Sequence, residues 1–393
     1  MIDSAVNGLF IPLSLLYLVA ASGATLTHIG VLLSIAGALA LPLPLWIGRL
    51  VDRVGARPVV FVSQLLQAAG FAAYVLASSL PGVFVAATVA SLGRAAYWSS
   101  VYVLLSGLTD QETDPRARER WFGIAGALRA AGYGLGALVA GFALAAHSLV
   151  LYQSVIAGNV VLLLVAGGLV AGLVPRSAAP APETPERGRG YRVLWADRPY
   201  LTLIAFNTVF ALCNVLLSIG LPPFVAQGIP GITWAVGPLL AMNTVVQALC
   251  QPFVVRLVRG LRRPVSLCLA GLLWAAWSLT TMSVLYLPSP LRVPGLALAV
   301  LCYSAAQMIH SPVSNAMSAD GAPVDVRGRY LAVFQSSFAI ATVVAPTMFS
   351  ALLEVGNAVP WVVLSVAVGL TIPGLLLLTP RLPEAAVTGV RTA

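Results

Sequence analysis

Residues 48 to 58 read Gly48-Arg49-Leu50-Val51-Asp52-Arg53-Val54-Gly55-Ala56-Arg57-Pro58, a short basic stretch with one carboxylate between two apolar segments, Thr27 to Ile47 and Val59 to Ala77. Each flank has the roughly 20 residues that a helix needs to cross a bilayer core. The basic stretch therefore belongs at a membrane surface, and its arginines place it on the cytoplasmic side. Gly48 and Gly55 offer positions for close backbone approach or a left-handed turn. Asp52 is stabilised by the surrounding arginines and is suited to the positive N-terminus of a neighbouring helix. Taken alone, the stretch is also what an ordinary positive-inside loop looks like.

Composition extends this reading to the whole chain. The sequence is 59% apolar and only 9% charged, with a mean hydropathy of +0.93. A soluble domain carries about 25% charged residues, so the chain reads as an all-α integral membrane protein. Its 393 residues have room for about twelve spans with short connections, and for no separate soluble domain. There is no lysine, so all 22 basic residues are arginine. A net charge of +9 is compatible with nucleic acid. The arginines, however, fall in alternate loops beside apolar spans, so topology accounts for them and no nucleic-acid partner is expected. Cys213, Cys250, Cys268 and Cys302 lie within spans without paired spacing, which implies neither a disulfide framework nor a metal site. No cofactor is expected, and no obligate protein partner is evident. The first apolar segment is long and directly followed by others, unlike a cleavable signal peptide.

In order, the predicted spans are Ile2 to Ala20, Thr27 to Ile47, Val59 to Ala77, Val83 to Leu105, Trp121 to Ala145 and Leu149 to Val174. Six more follow: Leu201 to Leu221, Trp234 to Val255, Val265 to Leu287, Val293 to Met317, Tyr330 to Leu353 and Val359 to Leu378. Between the two sets the composition shifts abruptly to Pro, Ala, Glu and Arg. This divides the chain into a six-span bundle over 1–174, a cytoplasmic linker over 175–198 and a second bundle with a short tail over 199–393. With both termini in the cytoplasm, only Arg292 falls in an outer loop and only Arg94 and Arg129 fall within spans. The expected location is a bacterial cell membrane, crossed many times.

An internal repeat supports the same architecture. Arg49-Leu50-Val51 and Arg57-Pro58-Val59 recur as Arg256-Leu257-Val258 and Arg263-Pro264-Val265, each set between the second and third spans of its half. Asp325-Val326-Arg327-Gly328-Arg329 echoes the stretch from Asp114 to Arg120. Two parallel six-helix repeats are one established plan for secondary transporters. The second copy has no counterpart of Asp52.

Gly48, Leu50, Asp52, Arg53, Gly55 and Arg57 resemble the signature between helices 2 and 3 of the major facilitator superfamily, with Ala56 where a basic residue is usual. Arg327-Gly328-Arg329-Tyr330 and the first-span phrase Gly8-Leu9-Phe10-Ile11-Pro12-Leu13-Ser14 are similar to bacterial drug-efflux members. The resemblance implies a two-half transporter with Gly48, Asp52, Arg53, Gly55 and Arg57 as a conformational gate. Leu92-Gly93-Arg94 resembles the fourth-helix motif whose arginine serves proton coupling in drug antiporters, although the usual Gln-Gly is replaced by Ala95-Ala96. The fifth span lacks the antiporter Gly-Pro pair, which leaves the direction of transport open.

Ionisable groups inside spans are the candidates for chemistry. A buried arginine costs about 2.5–3.5 kcal/mol on insertion scales, so Arg94 is expected to face a cavity or an ion-pair partner. Arg129 can snorkel to the surface or join the coupling site. Asp3 is the carboxylate expected inside a helix, either as a proton carrier facing the cavity or as a solvated cap of the first helix. His310 is a second proton candidate, or else a satisfied interior histidine. Asn207, Asn214, Asn243, Gln247, Gln307 and Gln335 supply inward polar groups, as cavity lining or as interhelical bonds. Tyr17, Tyr97 and Trp98 are candidates for an apolar cavity wall, or for lipid-facing or interfacial anchoring. The crowded Gly132, Gly134, Gly136 and Gly141 point to close helix packing and not to a nucleotide loop. The sequence carries no set of residues expected of an enzyme. The function expected is proton-coupled efflux of hydrophobic drug-like molecules, with uptake or facilitated diffusion of a small metabolite as the alternative and a non-transporting sensor as a third.

Overall fold

The structure, a computed structural model, describes residues 1–77, 79–109, 117–146, 148–174, 194, 196–258, 260–323 and 327–388. At positions 45, 49, 52, 102, 106–109, 117–123, 126, 127, 130, 145 and 327–329 it describes the backbone alone. Fourteen α-helices cover most of these residues: α1 Ile2–Ser22, α2 Leu26–Ala40, α3 Leu43–Val54, α4 Ala56–Leu76, α5 Leu80–Thr109, α6 Ala117–Ala146, α7 Leu149–Leu173, α8 Arg198–Gly228, α9 Val236–Val258, α10 Arg263–Ser283, α11 Ser289–Gly321, α12 Arg327–Val355, α13 Val359–Leu378 and α14 Glu384–Thr388. Ten helices among the described residues are long and apolar enough to cross a membrane, and the apolar stretches Leu26–Ala40 and Ala131–Leu144 supply the second and fifth spans. The fold is therefore the expected all-α, twelve-span arrangement.

Most helix boundaries follow local chemistry. Thr25 and Ser148 accept from the backbone N–H of His28 and Leu151 and so start α2 and α7. Asp197 does the same for Tyr200 at the head of α8. The second span is broken at Leu41-Pro42, where Pro42 and Pro44 remove two backbone donors. In the seventh span, helix continues through Pro222 and Pro223 to Gly228, about two turns beyond the expected end.

The opening basic stretch is not a loop over its whole length, as had been expected. Gly48 to Val54 complete α3, and the reversal is confined to Gly55, whose φ of 84° suits a residue without a Cβ. The cause is a buried stripe: Ile47 and Val51, one turn apart, pack with Val59 and Ala96. Gly48 itself has open space beside it, so the close approach expected there is not made.

The chain divides into two compact units, Met1–Pro185 with Val236–Ala241, and Glu186–Ala235 with Met242–Ala393. In the first, α4 packs on α5 and α7, and α1 packs on α6. In the second, α10 packs on α11 and α13, and α8 packs on α12. These are the same pairings displaced by six spans, so the repeated sequence phrases report a repeated packing scheme. The α1–α6 seam is built on missing side chains, since a Cβ on Gly8 would collide with Tyr133 O and one on Gly136 with Ala5 O.

Candidate functional site

In the first unit the polar centre is Asp3. The second residue of α1, it is only 2% exposed although it stands near the chain start. Its Oδ1 accepts from Gln67 Nε2 at 3.2 Å, and its Oδ2 accepts from Asn7 Nδ2 at 3.1 Å. Asn7 lies one turn along α1 and donates also to Asp3 O at 2.7 Å. Gln67 is brought over by α4, itself held close to α5 where Gly93 leaves room for the Gln67 backbone. The next residue on α5, Arg94, lies within electrostatic range of Asp3 and of Tyr74. A carboxyl group with two amide donors and a nearby guanidinium is held in one orientation. It remains the group in this cluster that can gain and lose a proton.

Arg129 of α6 meets α5 at Trp98. Its guanidinium lies over the Trp98 ring, 5.6 Å from the centroid, and Tyr97 meets the same indole edge-on at 5.5 Å. Tyr97 and Trp98 are half-buried and stand one turn beyond Arg94 on α5. Tyr17, expected in a cavity wall, is instead completely buried and donates its hydroxyl to Tyr74 O at 2.9 Å. Its phenol satisfies a helix carbonyl inside the core.

Two sets of polar groups join helices inside the second unit. His310 Nε2 meets Asn207 Oδ1 at 2.9 Å, and Asn207 Nδ2 donates to Ser337 Oγ at 2.6 Å. Because Asn207 donates with its nitrogen, its oxygen must accept, so His310 carries its proton on Nε2. Its Nδ1 has no partner among the described residues, and the ring lies 5.0 Å from Trp274 and 5.3 Å from Phe210. The imidazole is completely buried and packed against these two aromatic rings.

The other set runs along α9. Asn243, Gln247 and Gln251 are spaced one turn apart and face α11. Gln247 Nε2 donates to Asn243 Oδ1 at 2.8 Å and to Gln307 Oε1 at 2.7 Å, while Ser304 Oγ donates to Asn243 Oδ1 at 2.8 Å. Gln251 Nε2 reaches Met308 O at 3.1 Å. These half-buried side chains form an uncharged amide ladder. Asn214 turns back on its own helix, donating to Phe210 O, and Gln335 is exposed, donating to Asn315 Oδ1.

Of the signature residues, Arg57 does more than mark the cytoplasmic side. Standing in the first turn of α4, it donates through Nε to Val170 O at 3.3 Å and through Nη2 to Ala171 O, capping the end of α7. Arg263, its repeat counterpart, donates to Ala385 O and Ala386 O of α14 and pairs with Asp320 at 2.9 Å. Arg53 is exposed in the last turn of α3. The side chain of Asp52, and with it the expected pairing to the N-terminus of a neighbouring helix, lies outside the described residues.

Sequence reasoning missed Gln67, Asn7, Ser337, Ser304 and Gln251. An amide or hydroxyl within an apolar span was the available signal, but such residues are numerous and their partners are on other helices. Among the described residues, no group of three or more His, Cys, Asp or Glu side chains could hold a metal ion.

Two six-span units packed alike, with ionisable and amide groups inside the spans, define a secondary-transporter class of membrane protein. The profile described as Major Facilitator Superfamily matches residues 1–346, and the chain belongs to that family. It is 25% identical over 336 residues to the multidrug resistance protein MdtH of Edwardsiella ictaluri (strain 93-146), covering 83% of this chain and 78% of that protein. Among solved structures, a variant of the nucleoside transporter NupG superposes with a TM-score of 0.78 at 10% identity, covering 96% of this chain and 97% of that one. A variant of the peptide transporter POT in complex with alafosfalin gives 0.74 at 17% identity, covering 97% and 92%. At these identities the solved structures share the fold, and the family makes the chain a transporter of small molecules and not an enzyme.

Proposed function

We propose that this transporter is a proton-coupled exporter of hydrophobic, drug-like compounds working by alternating access in a bacterial cell membrane, with both termini cytoplasmic. The observation that carries the reading is the buried Asp3 carboxyl, held by Gln67 and Asn7 with Arg94 nearby. Proton coupling needs a group that binds a proton within the membrane and whose affinity changes as its surroundings alternate. The similarity to a protein named for multidrug resistance supports export of such compounds. In this reading Asp52 and its neighbours act as the conformational gate, and Asp52→Asn slows turnover while insertion is unchanged.

The test is a panel of lipophilic dyes in inverted vesicles containing the full chain. Dye accumulation that requires an imposed proton gradient and collapses with a protonophore is the expected result. Accumulation indifferent to the gradient, or none across the panel, overturns the reading. One observation favours the alternative of uptake of a small metabolite: the α9–α11 amide ladder offers hydrogen bonds to a neutral polar molecule. Gradient-independent equilibration of such a solute in the same vesicles identifies that case.

A further inference from the structure

Within the second unit a cavity of about 300 Å³ opens between the start of α8 and the end of α13. Arg198 and Thr202 line it from α8, Gly374, Leu377 and Leu378 from α13, and Arg381 from the turn that follows. Both arginines are exposed, and among the described residues neither has an ion-pair partner. The nearest acidic neighbour in sequence, Asp197, is committed elsewhere: it caps Tyr200 N and accepts from Tyr330 Oη at 3.3 Å. The Thr202 hydroxyl is likewise engaged, donating to Arg198 O at 2.8 Å. Recognition in this cavity therefore falls to two guanidinium groups, which favour a phosphate.

The surroundings of the cavity identify the kind of phosphate. Below it, Val366, Leu370 and Leu377 expose one apolar face of α13, at 56%, 68% and 74%. From position 366 to 377 a helix rises about 16 Å, close to one leaflet of a roughly 30 Å hydrocarbon core. The cavity thus lies at the polar end of an apolar strip one leaflet tall. Its volume is about ten times the share of one water in the liquid, enough for a phosphate and its glycerol. Leu378 packs in one cluster with Leu203, Leu267, Leu382 and Ala386, and Arg263 reaches the carbonyl of Ala386, so this end of the unit is its arginine-rich end. Basic pockets between helices on that side are suited to anionic headgroups.

We infer that Arg198 and Arg381 form a binding site for the phosphate of an anionic phospholipid whose acyl chain lies along Val366, Leu370 and Leu377. The site is independent of the transported substrate and of the direction of transport. Its role is to fix the ends of α8 and α13 to the inner leaflet.

The experiment is native mass spectrometry of the full chain released from phosphatidylcholine nanodiscs doped with phosphatidylglycerol. Retained phosphatidylglycerol adducts are expected for the native chain. Arg198→Gln/Arg381→Gln is expected to lower their occupancy at least about tenfold, a difference of ~1.4 kcal/mol. Arg262→Ala, which removes an exposed arginine outside the cavity, is expected to leave occupancy unchanged. Equal loss in Arg262→Ala, or full retention in the double variant, overturns the site. Competition by inorganic phosphate or deacylated glycerophosphoglycerol at matched concentration assigns the cavity to a free anion and overturns the lipid reading. Should the double variant unfold, single Arg381→Gln, placed after the helix end, is measured instead, with retained adducts counting against the site.

Discussion

Gln67 Nε2 donates to Asp3 Oδ1 across 3.2 Å, joining α4 to the first turn of α1 between residues 64 positions apart. An amide donor from another helix fixes the carboxyl without neutralising it. Asp3→Asn keeps the shape and removes the proton site. Gradient-driven transport by this variant is expected to fall to background while substrate binding persists. Full proton-driven transport in vesicles, at equal expression, would sink the coupling role of Asp3.

His310 is expected to take no part in coupling, because its Nε2 is committed to Asn207 and its ring is enclosed by Trp274 and Phe210. His310→Gln can retain a donor to Asn207 and should leave the gradient dependence of transport intact. His310→Leu strands a buried amide oxygen and should cost about 1–3 kcal/mol of stability. A thermal-stability series on both variants, alongside vesicle transport, checks the pair. Loss of coupling in a stable His310→Gln protein would transfer the proton role to the histidine.

Gly136 sits where α6 meets Ala5 and Leu9 of α1 with no room for a side chain. Gly136→Val should force the helices apart and destabilise the first unit by roughly 1–3 kcal/mol. The measurement is the unfolding midpoint in detergent, compared with Gly158→Val, where the added group meets open space. Equal midpoints for the two variants would contradict the packing argument.

Arg263 joins α10, α11 and α14 through one guanidinium, which bonds Asp320 and the carbonyls of Ala316, Ala385 and Ala386. Truncation to Ala removes charged hydrogen bonds that contribute about 1.5–3 kcal/mol each where buried, less at this partly exposed site. The expected outcome for Arg263→Ala is release of the segment after Arg381, read as faster proteolysis at the C-terminal end. Lysine should rescue only in part, because it offers a point charge in place of a planar fork. Unchanged proteolysis would show that apolar packing of Leu382, Ala386 and Val387 suffices.

Sidedness follows from the arginines flanking the spans. A cysteine introduced at Leu261, beside Arg262 and Arg263 and exposed in the structure, should resist impermeant thiol reagents in intact cells and react in inverted vesicles. Rapid labelling in intact cells, in a background without the four native cysteines, would invert the topology.

The spans, their number, the halving of the chain and the repeat were legible in the sequence because each depends on local quantities. About 20 apolar residues make a membrane helix wherever they occur, and an arginine marks its flank without reference to any other span. Asp3 could likewise be singled out by composition, as a carboxylate at the edge of an apolar run. Its partner could not, since Gln67 looks like any other amide in a span until α4 is laid against α1. The same holds for Tyr17, which the tertiary structure moves from an expected cavity wall to a buried bond with Tyr74 O, and for Arg129, which it sets on Trp98. Arg57 and Arg263 were legible as repeated charges, whereas the carbonyls they bond, at the end of α7 and in α14, are found only when residues more than a hundred positions apart are packed together. Hydropathy acts on each segment separately and so survives in one dimension. Hydrogen-bond satisfaction in a medium without water is a property of neighbours, and the tertiary packing alone decides who the neighbours are.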